Sequence, residues 1–475
     1  MSALAAPAVI SHLRPFRRLI VPRPFALIGL GAFLLIVANY LSFTVEAAHS
    51  LTLAAPITFF ASAAGLGALI VAAWAPGEAL GQAREETRWE LAGRAVMTVI
   101  MAAMAVASFL LVIAGLYYAA IVPPSGAYLN DVISFNAANA HTLLAGHNPY
   151  TDDANFIPTL IAYPKAPPTP IQGPIFGYGF NYPLQGHVFA IDRAYIRDPV
   201  RYAAAFDPRT LHSYPALSFL IYVPLFLVGV QNVMWVNLIA YVALLLWLIS
   251  LAPRGQRVWV AFTGLAAVTI TFGSLLLETE LICLLFLLPA WRLRDERGWV
   301  SALLLGLSCA FKQYCWLFAP LFLLDALLRH GWRAAARRAL IALAAFLAPN
   351  LPFIIASPGA WWQSIWLPLT AALFPQGVGL VTLALGRVLP PLPKLAFTAL
   401  EIAAMGAVLW AYARYHGRLR EAALILALVP FFVAFRSPPN YFAAAPWLAL
   451  FTWLWLQRAR TARLEKVVRA SALPV

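Results

Sequence analysis

Charge is the scarcest property of this chain. Of its 475 residues only 11% are Asp, Glu, Lys or Arg and 62% are hydrophobic, where a soluble domain carries about 25% charged and about 45–50% apolar residues. That shortage excludes a water-soluble fold. Cysteine is scarce as well: Cys283, Cys309 and Cys315 lie in or beside apolar segments. An odd number without a spacing pattern argues against a disulfide framework and for buried packing. The alternating ten-residue segments of a membrane barrel are missing. No small-residue cleavage site clearly follows the first apolar run, so no removable signal peptide is expected. The eight His are scattered without metal-ligand spacing. Net charge is +14, yet no basic patch is interleaved with base-stacking aromatics, so nucleic acid is not an expected partner. The cations stand instead in short clusters between apolar runs.

Long apolar stretches fill the chain from end to end and predict an all-α polytopic membrane protein. About twelve spanning helices are expected, at roughly 25–45, 51–74, 95–121, 231–251, 258–276, 278–291, 299–311, 313–328, 339–356, 395–413, 421–435 and 441–457, several of them short for the roughly 20 residues a span needs. Clusters containing 24 of the 33 cations then fall on one side: Arg14, Arg17, Arg18 and Arg23; Arg84, Arg88 and Arg94; Arg254 and Arg257; Arg292, Arg294 and Arg297; Arg329, Arg333, Arg337 and Arg338; Arg414, Arg418 and Arg420; Arg458, Arg460, Arg463, Lys466 and Arg469. The positive-inside rule makes that side cytoplasmic, with both termini there. The ledger closes only if two apolar segments do not span. One is 214–229, with two prolines and no following cation; the other is 361–390, broken by Pro368, Pro375 and the Pro390–Pro391 pair. Both are expected to lie along the outer surface or re-enter. The chain divides into 1–94, a cytoplasmic segment and helical hairpin; 95–457, the main transmembrane domain; and 458–475, a basic cytoplasmic tail.

The outer side collects the polar residues. The loop 122–212 carries Asp131, Asp152, Asp153, Asp192, Asp198, Asp207 and four His, and loops of that length are usually functional. Its Pro, Gly, Tyr and Asn content predicts turns and short helices with little core of their own. Within it 131–145 reads as a helix, capped by Asn130 or Asp131 and closed by Gly146. Val132, Phe135, Ala138 and Leu143 share one face of it, which predicts an amphipathic interfacial helix with Asp131, Asn136 and Asn139 turned elsewhere. Taken singly, Asp131 could be only a carboxylate on a helix dipole, and His147-Asn148-Pro149-Tyr150 only a turn.

Taken together, Asp131, Phe135, Ala138, Thr142-Leu143-Leu144, Gly146, Asn148, Pro149 and Tyr150 form the pattern D-x3-F-x2-A-x3-L-L-x-G-x-N-P-Y, with the leucines in loose register. It resembles the first outer loop of glycosyltransferase family 87, among the GT-C enzymes that use polyprenyl-phosphate sugars. Tyr214-Pro215-Ala216-Leu217 is similar to the Y-P-P-L element that often ends that loop, with the second proline replaced, and Tyr182-Pro183-Leu184 is a shorter echo. Phe311-Lys312-Gln313-Tyr314 looks like the family's outer helix-end lysine, although no proline follows it here. The resemblance covers roughly 95–457. It implies a GT-C-like bundle with a large first outer loop carrying juxtamembrane helices, for which 131–145 and 214–229 are the candidates. It also implies an acidic residue near the membrane surface, a donor sugar on a polyprenyl phosphate, and inversion at the anomeric carbon.

Sugar transfer needs a base for the acceptor hydroxyl and cations for the departing phosphate. Asp131 is the candidate base. Lys312, alone among apolar residues at membrane depth, is the first phosphate candidate, since such charges are costly and functional by default; the plain alternative is a snorkelling lysine at a helix end. Arg436, in FRSPPNY, and Tyr214 join it on the donor side. Asn136, Asn148, Tyr150 and Asp152 are candidate substrate contacts, although a solvated turn is the plainer reading of Asp152 and Asp153. Glu278 and Glu280 could orient sugar hydroxyls or share a divalent cation with Asp131, the only cofactor left open; a helix-end carboxylate facing water is the preferred reading of that pair. The expected protein is thus a plasma-membrane transferase of the cell envelope with its site outside. It would move mannose or a pentose, the ordinary family guesses, to a glycan, lipid or protein. The rivals are a transporter or lipid-linked-glycan flippase, which charged and proline-broken helices also suit, and a scaffold of envelope assembly. Against transport stand the lack of an internal repeat and the gathering of polar groups on one face.

Overall fold

A computed structural model of the chain describes residues 19–48, 53–74, 87–268 and 279–471. Glu278 and the cations Arg14, Arg17, Arg18 and Arg84 lie outside them. The described chain is mostly helical, and six of its helices are long and apolar enough to cross a membrane: Arg23–Glu46, Ala54–Ala73, Arg88–Ala120, Met234–Leu251, Gln313–Ala356 and Lys394–Arg414. Their inward faces share one core. That core joins Phe25 and Leu69 of the first two helices to Met101, Leu244, Leu284, Phe353 and Trp447 far along the chain.

The architecture is a helical bundle. α1 (Arg23–Ala48) and α2 (Ala54–Trp74) form a hairpin, followed by α3 (Arg88–Ala120). After a long connection come α5 (Met234–Leu251), α6 (Arg257–Val268), α7 (Glu280–Leu293) and α8 (Gly298–Phe311). α9 (Ala319–Ala356) is two helices joined at Gly331, whose φ of 79° and ψ of 174° reverse the chain. α10 (Pro358–Thr370), α11 (Lys394–Arg414) and α12 (Ala445–Ser471) complete the set. Four helices run into arginine at one end: α5 into Arg254 and Arg257, α7 into Arg294, α11 into Arg414 and α12 through Arg458. The molecule therefore has a basic face and, opposite it, a loop face. The basic face is not a sheet of free cations. Arg294, only 2% exposed, contacts Glu421 at 2.6 Å and Asp325 at 3.4 Å, and Arg420 bridges Asp325 at 3.0 Å and Asp295 at 2.5 Å.

Among the described residues helical segments occupy the expected places, with differences; the expected spans 258–276 and 278–291 lie partly outside those residues. The stretch 421–435 is not one span but two short helices, Ala423–Leu426 and Val429–Val433; Pro430, which has no N–H to give, starts the second piece. α7 and α8 have 14 residues each, short of a full crossing. The segment 214–229 folds as two short turns of helix, Leu217–Leu220 and Val223–Leu227. The stretch 361–390 is interrupted as its prolines require: α10 ends at Thr370, and Leu380–Leu385 is helical again.

The loop corrects two expectations. It has a core of its own, where Phe135, Phe156, Val188, Tyr202, Phe206 and Leu211 pack with Phe374. The helix α4 (Asp131–Leu144) is not an amphipathic strip on the membrane surface: ten of its fourteen residues are buried. Phe135 and Ala138 enter the loop core while Ile133, Ala137 and Ala140 enter the bundle core. Clamped between two packed bodies, the helix leaves only His141 and Leu144 exposed. Its ends follow the sequence: Asn130 accepts the Ile133 N–H at 3.3 Å. At the other end Gly146, at φ 85°, lets the His147 N–H reach Thr142 O at 3.1 Å and its own N–H reach Leu143 O at 2.9 Å, a Schellman closure.

Candidate active site at the loop face

The N-cap at Asn130 places Asp131 in the first turn of α4, with its carboxylate at the positive end of the helix dipole. The loop folds back so that the Thr169 hydroxyl donates to Asp131 Oδ2 at 2.7 Å. Burial pushes the Asp131 carboxyl above the ordinary carboxylate range; the Thr169 hydroxyl and the nearby Arg436 guanidinium pull part of the way back. A carboxylate with a raised pKa is a better proton acceptor near neutrality.

Arg436 is held from the backbone outward. It lies on β2 (Arg436–Ser437), which pairs in parallel with β1 (Gln376–Gly377), the only strands among the described residues. Arg436 Nη2 donates to Gln376 Oε1 at 2.9 Å. Its Nη1 is buried without a hydrogen-bond partner among the described residues, an N–H group available to an anion. Tyr182 stands against the same charges. Burial pushes its hydroxyl up to about 12, with Arg436 opposing and Glu46 and Asp131 adding to the rise.

Lys312 approaches from the bundle. It ends α8 in extended backbone, with φ −153° and ψ 138°, and its side chain turns into the protein. Its Nζ donates to Glu280 Oε1 at 2.5 Å and to Thr279 Oγ1 at 3.3 Å, and lies 5.8 Å from the centre of the Tyr214 ring. Glu280 is 0% exposed and Lys312 4%; Asn440 Nδ2 adds a bond to Glu280 Oε1 at 3.2 Å. This corrects two readings. Lys312 is not alone among apolar groups, and Glu280 is not a helix-end carboxylate facing water. Each cancels the other in a place that water does not reach.

Tyr214 joins the two halves. Burial raises its hydroxyl well above the ordinary phenol range; Lys312 opposes that rise, and Asp131, Tyr441 and Glu280 add to it. Asp131 and Lys312, far apart along the chain, thus both act on Tyr214, and Arg436 acts on Asp131.

Four expected substrate contacts are elsewhere or occupied. Asn136 is 1% exposed, donates to Val132 O and accepts from the Ser218 hydroxyl, both at 2.7 Å; it ties α4 to 214–229. Tyr150 is buried, and its hydroxyl donates to Tyr214 O at 2.7 Å, so it positions the Tyr214 backbone. Asn148 Oδ1 accepts the Tyr150 N–H at 3.0 Å, an Asx turn. Asp152 accepts from Asn155 at 2.7 Å and follows the far end of α4, away from the helix start that carries Asp131. Glu278 lies outside the described residues. Thr169, Gln376 and Glu46 join the site without having stood out in the sequence. Only Glu46 carries a visible signal, a carboxylate ending an apolar helix. Among the described residues no group of three or more His, Cys, Asp or Glu is arranged to hold a metal ion.

No known protein family, curated protein or solved structure matches this chain.

Proposed function

We propose that the chain is an integral-membrane glycosyltransferase of GT-C type with about twelve spans. The basic face and both termini would be cytoplasmic and the loop face outside the plasma membrane. The donor is a sugar on a polyprenyl phosphate, mannose or a pentose, and the acceptor a hydroxyl of a glycan, lipid or protein. The observation that carries the reading is that Tyr214, whose ring centre lies 5.8 Å from Lys312 Nζ, is within electrostatic reach of both Asp131 and Lys312, and Asp131 is within that of Arg436, an arginine with an uncommitted N–H at the loop end of an apolar bundle.

Asp131 takes the proton of the acceptor hydroxyl as its oxygen attacks the anomeric carbon. The bond from that carbon to the phosphate oxygen breaks, and its electron pair leaves with the polyprenyl phosphate. Arg436 neutralises the charge developing there. Lys312, already paired with Glu280, acts through Tyr214 and the local field more than as a direct phosphate ligand.

The test is a membrane assay with a panel of polyprenyl-phosphate sugars. Asp131→Asn should reduce transfer roughly 10²–10⁴-fold. A variant that transfers sugar at the wild-type rate removes Asp131 as the base. Purified protein that carries a solute across vesicles and glycosylates nothing would replace this reading with transport.

A further inference from the structure

A strap of the outer loop runs from the candidate base to the strand that holds Arg436. It begins at Pro167-Pro168-Thr169-Pro170, where Thr169 alone has a backbone N–H to give and is kept extended by the proline after it. Thr169 meets Asp131 there: its hydroxyl donates to Asp131 Oδ2 at 2.7 Å. A run so short of donors cannot fasten itself. The fastening comes at Gln172. Its backbone N–H donates to Ala372 O at 2.7 Å, its side-chain Nε2 donates to Leu373 O at 2.9 Å, and Ile171 pairs antiparallel with Leu373. The strap then folds back on itself. The Gly173 N–H reaches Gly177 O at 2.9 Å, and Gly177 and Gly179, at φ 80° and 104°, bring the Gly179 N–H to Gln172 Oε1 at 3.0 Å. Both ends of the Gln172 amide are thus committed, one to Leu373 and one to the returning strap. Beyond the clamp, Leu373 is followed by Phe374, buried in the loop core, and then by Pro375 and Gln376, whose Oε1 accepts from Arg436 Nη2 at 2.9 Å. Covalent and hydrogen bonds therefore run without a break from the Asp131 carboxylate to the Arg436 guanidinium, and Gln172 is the middle link.

We propose that Gln172 is a positioning residue for Asp131, fastening the strap to Ala372 and Leu373 so that the Thr169 hydroxyl stays on the carboxylate while Gln376 stays on Arg436. Base and arginine then keep one spacing, as groups that act on the two ends of one displacement must. Thr169 is the contact through which Gln172 reaches the carboxylate. The charged and titratable groups that act on Asp131 from the other segments are Arg436, Tyr182 and Tyr214, and a double variant separates Thr169 from them. The kinetic consequence rests on the reading of Asp131 as the base of sugar transfer; the ionisation of Asp131 is measured without it.

Wild type, Gln172→Met, Gln172→Ala, Thr169→Val and the double variant Thr169→Val/Gln172→Met are compared in nanodiscs, each checked for folding by its thermal transition. Two quantities are read: the midpoint of the rising limb of kcat/KM against pH for the polyprenyl-phosphate sugar, and the ionisation midpoint of the Asp131 carboxyl, followed by the C=O infrared band that Asp131→Asn removes. Thr169→Val should raise both midpoints by roughly one to two pH units, the consequence of losing a hydrogen bond to an ionised group. Gln172→Met keeps nearly the shape of glutamine and neither of its amide bonds. It should raise both midpoints by up to the same amount, and the double variant should match Thr169→Val alone. Should Gln172→Ala not fold, Gln172→Met decides. Three results overturn the proposal: a Gln172→Met protein with the wild-type infrared midpoint, one whose midpoint falls, as it would if the strap only kept water out, or a double variant in which the two shifts add. If the infrared midpoints move as expected but the wild type transfers no sugar, or transfers it on an unmoved limb, Gln172 keeps its role and the reading of Asp131 as a transferase base falls.

Discussion

Replacing Lys312 with methionine should destabilise the protein before it says anything about catalysis. The substitution keeps the apolar stem and removes the ammonium. It leaves Glu280, 0% exposed, with Oε1 on Asn440 at 3.2 Å and Oε2 without a partner among the described residues. Removing one member of a buried pair costs about 3–5 kcal/mol, chiefly because the other charge is stranded. Even about 3 kcal/mol lowers the folded-to-unfolded ratio roughly 150-fold, a large share of the roughly 5–15 kcal/mol that holds a protein together. Adding Glu280→Gln removes the stranded charge, so the double variant should return to within about 2 kcal/mol of wild type. The assay is reversible unfolding in mixed micelles for wild type, both single variants and the double, read as a double-mutant cycle. A Lys312→Met protein as stable as wild type but unable to transfer sugar would refute the reasoning. Lys312 would then serve the substrate directly, and its pairing with Glu280 would carry little energy.

Three further outcomes follow from the site. Asp131 must be ionised to accept a proton, and burial raises its pKa, so activity should climb with pH along a limb above the ordinary carboxylate range. Thr169→Val removes a bond that favours the ionised form and should move that limb to higher pH in a kcat/KM profile. Asn136→Ala breaks the bond to Ser218 and should cost about 1–3 kcal/mol of stability with donor KM unchanged; a rise in KM alone would return Asn136 to the substrate. Gly377→Ala places a Cβ against Ser437 O, so it should separate the two strands and weaken stabilisation by a polyprenyl monophosphate more than about tenfold, measured as a thermal-shift midpoint.

What the sequence determined by itself is local. Hydrophobicity over a window is a property of consecutive residues, so the membrane class and the helical places along the chain were legible. Asn130 and Gly146 act within one turn of their own helix, so the position of Asp131 at a helix start follows from its immediate neighbours alone. Prolines broke 214–229 and 361–390 where expected for the same reason. The tertiary structure decided the partners. Lys312 and Glu280 are each isolated charges in the sequence, and only the convergence of two helix ends makes them a pair 2.5 Å apart. The burial of α4 on both sides turned Asn136 from a candidate contact into a tie between segments. Arg436 depends on a parallel pairing with Gln376 and on a hydrogen bond to the Gln376 side chain. A charge's environment is set by whichever segments fold against it, and no window along the chain contains them.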